Sequence, residues 1–196
     1  KEKVLEKLTP KTKILVLPFP NNPTGSILEK EDLEAIADVV REKDLFVISD
    51  EIYSELTYGR HHCTIAALPG MKERTVLING FSKSYAMTGW RLGYAAAPAD
   101  IIAGMKRIQG HTISHPSTIT QYAGITALEE KGEVVDEIIR IFDERRKAMM
   151  ARLDKIPQLS YIYPQSTFYI FVDISRVIED NRYGIASGYE FSQRLL

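Results

Sequence analysis

Three short, largely apolar runs, each leading into a stretch rich in polar, proline or glycine residues, constrain the fold of this chain most strongly. The runs cover residues 14–17, 45–49 and 74–78. Continuous apolar runs of this length are typical of strands that are buried on both faces of a parallel sheet. Between the first two runs, residues 29–42 carry apolar side chains at the spacing of an amphipathic helix. We therefore predict a right-handed βαβ unit within an α/β fold, with a mostly parallel sheet flanked by helices.

The later part of the chain predicts a change of domain. Residues 92–97 read as one more strand of the sheet, and residues 133–155 repeat apolar side chains at helical spacing. A helix of more than about five turns suits a connector between domains. We therefore assign residues 1–131 to part of a large domain, and residues 132–196 to the connector helix and part of a smaller α+β domain. Three further predicted segments are strands at 159–163 and 168–172 and a mobile loop at 181–187.

Composition argues against several functional classes. The 196 residues are 44% hydrophobic and 26% charged, with a formal net charge of −1. Nucleic-acid-binding surfaces need a clear basic excess, so we expect no nucleic-acid partner. No apolar run reaches the ~18 residues of a membrane span, and the N-terminus lacks a signal-peptide core, so we expect neither membrane insertion nor secretion. The single Cys63 forms no intrachain disulfide, which fits a reducing cytoplasm.

The cluster His61-His62-Cys63 raises the question of a metal site. Adjacent side chains diverge from one another, and no further set of ligands lies nearby in the sequence. We interpret the cluster as a surface loop or a subunit contact, and we predict no metal site.

The stretch from Asn79 to Gly93 carries the most specific chemistry. Lys83 is set among small and apolar residues, where a poorly hydrated ammonium has a lowered pKa and the neutral amine can form an imine. Arg91 offers a fork of donors suited to a phosphate, and Gly89 before it leaves room for a ligand. A reactive lysine with a phosphate anchor suggests pyridoxal 5′-phosphate (PLP), although either residue alone is more often a plain surface residue.

Two other motifs follow predicted strands, at the sheet edge where α/β proteins bind ligands. Asn22 lies in the loop PFPNNPTG, which by composition alone is an ordinary turn. Asp50 and Tyr53 lie in SDEIY, where a carboxylate at the end of a buried strand needs a cation such as the PLP pyridinium. The local alternatives are a helix cap for Asp50 and a core aromatic for Tyr53. We expect Glu51 to point away into a structural ion pair.

These three motifs together resemble those of the class I/II aminotransferases, which are PLP-dependent enzymes of fold type I. The lysine motif of that family is filled by Gly80, Phe81, Ser82, Lys83, Gly89, Arg91, Leu92 and Gly93. The resemblance implies that Lys83 carries an aldimine with PLP, Asn22 and Tyr53 bind its phenolic oxygen, Asp50 binds its ring nitrogen and Arg91 binds its phosphate. It also implies a cis Asn22-Pro23 bond, and that residues 1–131 are the C-terminal part of the large PLP-binding domain.

The resemblance further implies transfer of an amino group between an α-amino acid and a 2-oxo acid, by a homodimer. Family members are much longer than this chain, so we interpret it as a fragment that lacks the phosphate loop, the ring-stacking aromatic and the arginine for the substrate carboxylate. Two alternatives share the cofactor site: a carbon–sulfur lyase, and a non-catalytic sensing domain of a transcription regulator. Relatives often carry Gly and Ala where Ser166 and Thr167 stand here, which leaves the substrate open.

Overall fold

A computed structural model of the chain describes residues 1–180 and 182–196. Residue 181, the first of the predicted mobile loop, lies outside that description. The strands are β1 (Ile14–Pro18), β2 (Phe46–Asp50), β3 (Thr75–Gly80), β4 (Gly93–Ala96), β5 (Ser160–Tyr161) and β6 (Val172–Asp173). The helices are α1 (Glu2–Lys7), α2 (Lys30–Glu42), α3 (Ala99–Thr112), α4 (Thr118–Glu129), α5 (Lys131–Leu153), α6 (Ser175–Asp180) and α7 (Gly188–Leu195).

The main sheet has the order β1-β2-β3-β4. The pairs β1–β2 and β2–β3 are parallel, with Leu17 opposite Ser49 and Ser49 opposite Leu77. Helix α2 connects β1 to β2, as the spacing of its apolar residues predicts. The pair β3–β4 is antiparallel, with Gly80 opposite Gly93, and a Cβ on Gly80 would lie 3.0 Å from the Gly93 Cα. The predicted α/β class and mostly parallel sheet are confirmed.

The core lies on one face of this sheet, where α2 packs. Val47 is fully buried there together with Val40 of the helix. On the opposite face, Ile14, Val16 and Phe46 remain 51%, 56% and 44% exposed. The prediction that these strands are buried on both faces is therefore wrong for the described chain. A continuous apolar run makes both faces fit for burial, but a cover for the second face has to come from elsewhere.

The two strands of the small sheet are shorter than predicted. Their pairing covers Ser160–Tyr161 and Val172–Asp173, with one further bond from the Ile162 amide to the Phe171 carbonyl (3.3 Å). The intervening chain at 163–170 leaves the ladder because residues 164–167 bond to other parts of the molecule. Thr167 adopts a left-handed backbone with φ of 62°. Among the described residues, no helix is long and apolar enough to cross a membrane.

Candidate active site

Three predicted site residues lie at one edge of the main sheet. Asp50 is the last residue of β2, in register with Pro18 at the end of β1 and Ile78 in β3. Asn22 follows β1 and Lys83 follows β3 by a few residues. The carboxyl ends of parallel strands share one edge of a sheet, and open α/β sheets bind ligands there.

The loop after β1 presents Asn22 and uses Asn21 to hold its own shape. The Asn21 side chain accepts from the Thr24 hydroxyl (2.7 Å) and donates to the Pro18 carbonyl (3.2 Å). The Asn22-Pro23 bond is cis, as predicted, and Phe19-Pro20 is also cis. Asn22 Nδ2 points out of the loop and donates to the Tyr169 hydroxyl (3.4 Å). The geometry therefore supports Asn22, and not Asn21, as the amide available to a ligand.

Tyr53 is buried, with 4% of its surface exposed, and its hydroxyl donates to that of Tyr169 (3.3 Å). Burial raises the pKa of Tyr53 above its ordinary value of 10, and the hydrogen bond and the proximity of Tyr169 raise it further. Asn22 opposes this shift, and the negative charge of Asp50 adds to it. The phenol therefore keeps its proton at neutral pH and remains a hydrogen-bond donor.

Lys83 reaches the same group of rings from the loop after β3. Its Nζ lies 5.5 Å from the centroid of the Tyr53 ring and 5.2 Å from that of the Phe168 ring. Both distances are within the range of a cation–π contact, which holds the ammonium at the ring faces. The loop itself is anchored by Phe81, which is buried and packs against the Tyr85 ring at 5.4 Å.

Asp50 and Arg91 make local hydrogen bonds. Asp50 Oδ1 accepts from the Ile52 amide (3.2 Å), the type of bond that the helix-cap alternative anticipates, but residues 52–55 form a turn and not a helix. Arg91 has a left-handed backbone with φ of 54°, and its guanidinium donates to the Thr88 carbonyl (2.7 Å). The structure thus brings Asn22, Tyr53 and Lys83 together around aromatic rings, and ties the Arg91 side chain to its own turn.

Glu51 points away from this group, as predicted, and is 3% exposed. Its carboxylate accepts from the hydroxyls of Ser49 (2.8 Å) and Thr64 (2.6 Å) and lies 2.8 Å from His62 Nε2. His62 therefore has a structural partner. Within residues 1–180 and 182–196, the His, Cys, Asp and Glu side chains form no group of three or more that could hold a metal ion.

Phe168 and Tyr169 are the residues of this site that the sequence interpretation missed. Tyr169 lies 116 residues from Tyr53 and 147 from Asn22, so nothing in local spacing connects them. The sequence pattern predicts a strand at 168–172, where an aromatic pair is ordinary. The signal that could have indicated them is their position, because both directly follow Ser166-Thr167, where relatives often carry Gly and Ala.

Comparison with known proteins agrees with this arrangement. The family described as aminotransferase class I and II matches residues 1–196. The chain belongs to this family. It is 43% identical to an aspartate aminotransferase of Bacillus subtilis (strain 168), over 87% of this chain and 44% of the relative. It is 46% identical to aromatic-amino-acid aminotransferase 2 of Thermococcus litoralis, over 85% of this chain and 44% of the relative.

The fold is also that of solved aminotransferases. An aspartate aminotransferase from Thermus thermophilus with maleate superimposes with a TM-score of 0.85 at 36% identity, over 90% of this chain and 46% of that one. The chain therefore spans about half the length of the relatives it matches. The proteins that it resembles depend on PLP. The polar groups fit that cofactor, because one edge of the sheet carries a primary amine, a protonated phenol, an amide and a carboxylate. These groups belong to Lys83, Tyr53, Asn22 and Asp50.

Proposed function

We propose that the protein containing this chain is a PLP-dependent aminotransferase that transfers an amino group between an α-amino acid and a 2-oxo acid. One observation carries the proposal: Lys83 Nζ lies over the Tyr53 ring, and Tyr53 connects through Tyr169 to Asn22. A lysine amine beside two hydrogen-bond donors suits a cofactor that carries a carbonyl group next to a phenolic oxygen.

Five side chains would hold the cofactor. Lys83 would bond covalently to its carbonyl carbon, while Asn22 and Tyr53 would donate to its phenolic oxygen. Asp50 would bind the ring nitrogen, and Arg91 would bind the phosphate through its fork of donors. When bound, PLP supplies an electron sink for the negative charge that develops at the substrate Cα.

The residues of the chain then divide the remaining work. The Lys83 amine, once released by the substrate, would take the proton from the substrate Cα and deliver it to the C4′ carbon of the cofactor, as a general base and then a general acid. Asp50 would keep the ring nitrogen protonated. Tyr53 retains its own proton because burial disfavours the phenolate, so it orients the cofactor without exchanging charge with it.

The proposal extends to the organisation of the whole protein. Residues 1–131 would belong to the large PLP-binding domain, and α5 would lead into the small domain from residue 132 onward. We also propose a homodimer, supported by apolar side chains on and between α3 and α4: Ile108, Ile113, Ile119 and Tyr122 are 69%, 71%, 76% and 70% exposed. A cytoplasmic location is supported by the single cysteine.

The test replaces Lys83 by Ala in the full-length protein. We expect the absorbance band of covalently bound PLP to disappear and amino transfer to fall by about 10³-fold or more, because the amine that moves the proton is gone. Lys72→Ala is the matched control, since Lys72 is exposed at the opposite end of β3 and should leave band and rate unchanged.

The assay also separates transfer from elimination. Aspartate and phenylalanine serve as donors with 2-oxoglutarate as acceptor, and both the new amino acid and free ammonia are measured. Formation of the new amino acid supports the proposal. A band that persists in Lys83→Ala, or ammonia released in place of a new amino acid, contradicts it.

A further inference from the structure

The hydroxyl of Tyr169 is the shared acceptor of two proposed cofactor donors. Asn22 Nδ2 donates to it at 3.4 Å, and the Tyr53 hydroxyl donates to it at 3.3 Å. The rings of Tyr53 and Tyr169 also meet edge to face, with centroids 6.2 Å apart. Tyr169 therefore joins a side chain from the loop after β1 to one from the turn after β2.

The backbone that carries Tyr169 is fixed by bonds to distant segments. The Thr167 amide donates to the Leu56 carbonyl (2.8 Å), and the Tyr169 amide donates to the Thr167 hydroxyl (3.3 Å). The Ser166 hydroxyl donates to the Gly25 carbonyl (2.9 Å). Ser166 and Thr167 are 0% and 1% exposed. The backbone position of Tyr169 is therefore set by contacts within the chain itself.

The number of hydroxyl protons determines the direction of donation among these hydrogen bonds. Tyr53 has one hydroxyl proton and can donate to one acceptor at a time, whereas the amide of Asn22 has two. If Tyr53 turns its proton toward a phenolic oxygen, its own oxygen becomes free to accept. Tyr169 has a hydroxyl proton of its own and lies within reach of that oxygen. Hydrogen bonds in such a chain polarise and strengthen one another.

We propose that Tyr169 is a positioning residue that donates its hydroxyl proton to the Tyr53 oxygen, and thereby strengthens the hydrogen bond from Tyr53 to the phenolic oxygen of the cofactor. This inference rests on the proposed function. Stronger donation to that oxygen stabilises its anion. A more stable anion lowers the pKa of the imine nitrogen that would join the cofactor to Lys83. Two charged groups face Tyr53: the Asp50 carboxylate, which raises the pKa of the phenol, and the Lys83 ammonium, which lies over its ring.

The test is Tyr169→Phe in the full-length holoenzyme, with the absorbance band of bound PLP titrated against pH. Loss of the hydroxyl should raise the midpoint of the band by about 0.3 to 1 pH unit, since one supporting hydrogen bond is removed. Tyr161→Phe is the matched control. Tyr161 lies in β5 and its hydroxyl donates to Asp154 (2.7 Å) at the end of α5, so its removal should leave the midpoint unchanged.

A double variant separates positioning from direct contact. Since Tyr169 acts through the Tyr53 hydroxyl, most of the shift should vanish when Tyr169→Phe is made in a Tyr53→Phe background. An unchanged or lowered midpoint in the single variant overturns the inference, and so does a fully additive shift in the double variant. A wild-type protein with no titrating PLP band contradicts the proposed function itself, so the two failures are distinguishable.

Discussion

At the scale of single residues, the burial of a tyrosine hydroxyl makes the stability of the fold depend on pH. Tyr58 is half-buried and donates its hydroxyl to the Thr167 carbonyl. Burial raises its pKa to about 12, from an ordinary value of 10, although the nearby Arg146 guanidinium opposes the shift. Its neutral form is therefore favoured by folding. The associated stability is fully present below pH 10 and is lost as pH rises toward 12.

This predicts the behaviour of Tyr58→Phe. At pH 8 the variant should be less stable than the wild type by about 1 kcal/mol, because the Thr167 carbonyl loses its donor. The difference should shrink between pH 10 and pH 12, where only the wild type loses stability through this residue. Urea unfolding of both proteins across that range measures it. A difference that stays constant with pH would show that burial does not hold the Tyr58 proton.

At the scale of elements, the sequence anticipates whatever depends on local pattern. The strands β1 to β3, the helix α2 and the cis Asn22-Pro23 bond are all recoverable, because apolar runs, helical spacing and a specific motif encode them. The extent of the small sheet is not, since residues 164–167 form bonds to Gly25, Leu56 and other distant groups in place of local pairing. Tyr169 is missed for the same reason: its partners are brought near only by the fold.

Arg146 attaches helix α5 to the segment at 163–164. The side chain of Arg146 is 9% exposed, bonds to Asp143 (2.6 Å) and donates to the Pro164 carbonyl (2.7 Å). Its guanidinium also lies over the Tyr58 ring, 4.4 Å from the centroid, and over the Tyr163 ring at 5.3 Å. A single planar group thus joins the helix, the segment at 163–164 and the loop that carries Tyr58.

Replacing Arg146 by Ala should therefore cost about 2 to 4 kcal/mol of unfolding free energy, because a mostly buried ion pair and its stacking are lost together. Arg146→Lys should recover only part of this, since an ammonium cannot stack on Tyr58 and bond to Pro164 in the same geometry. Arg140→Ala is the control on the same helix: Arg140 is 56% exposed and its loss should cost about 0.5 kcal/mol or less. Equal losses for Arg140 and Arg146 would contradict the attachment.

At the scale of the whole molecule, the described residues leave two apolar surfaces exposed. One face of the main sheet is open at Ile14, Val16 and Phe46, and a second apolar surface lies on α3, α4 and their connection.

The proposed homodimer would use the exposed apolar surface of α3, α4 and their connection. Ile113 is 71% exposed in the connection between α3 and α4, so Ile113→Asp should leave the folded monomer intact. In the full-length protein it should weaken self-association by about tenfold or more, because a charge would be buried at the dimer contact. Ile156→Asp, at a 43% exposed position after α5, is the control that should leave association unchanged. Sedimentation equilibrium measures both, and a dimer equally strong in Ile113→Asp would show that this surface lies outside the subunit contact.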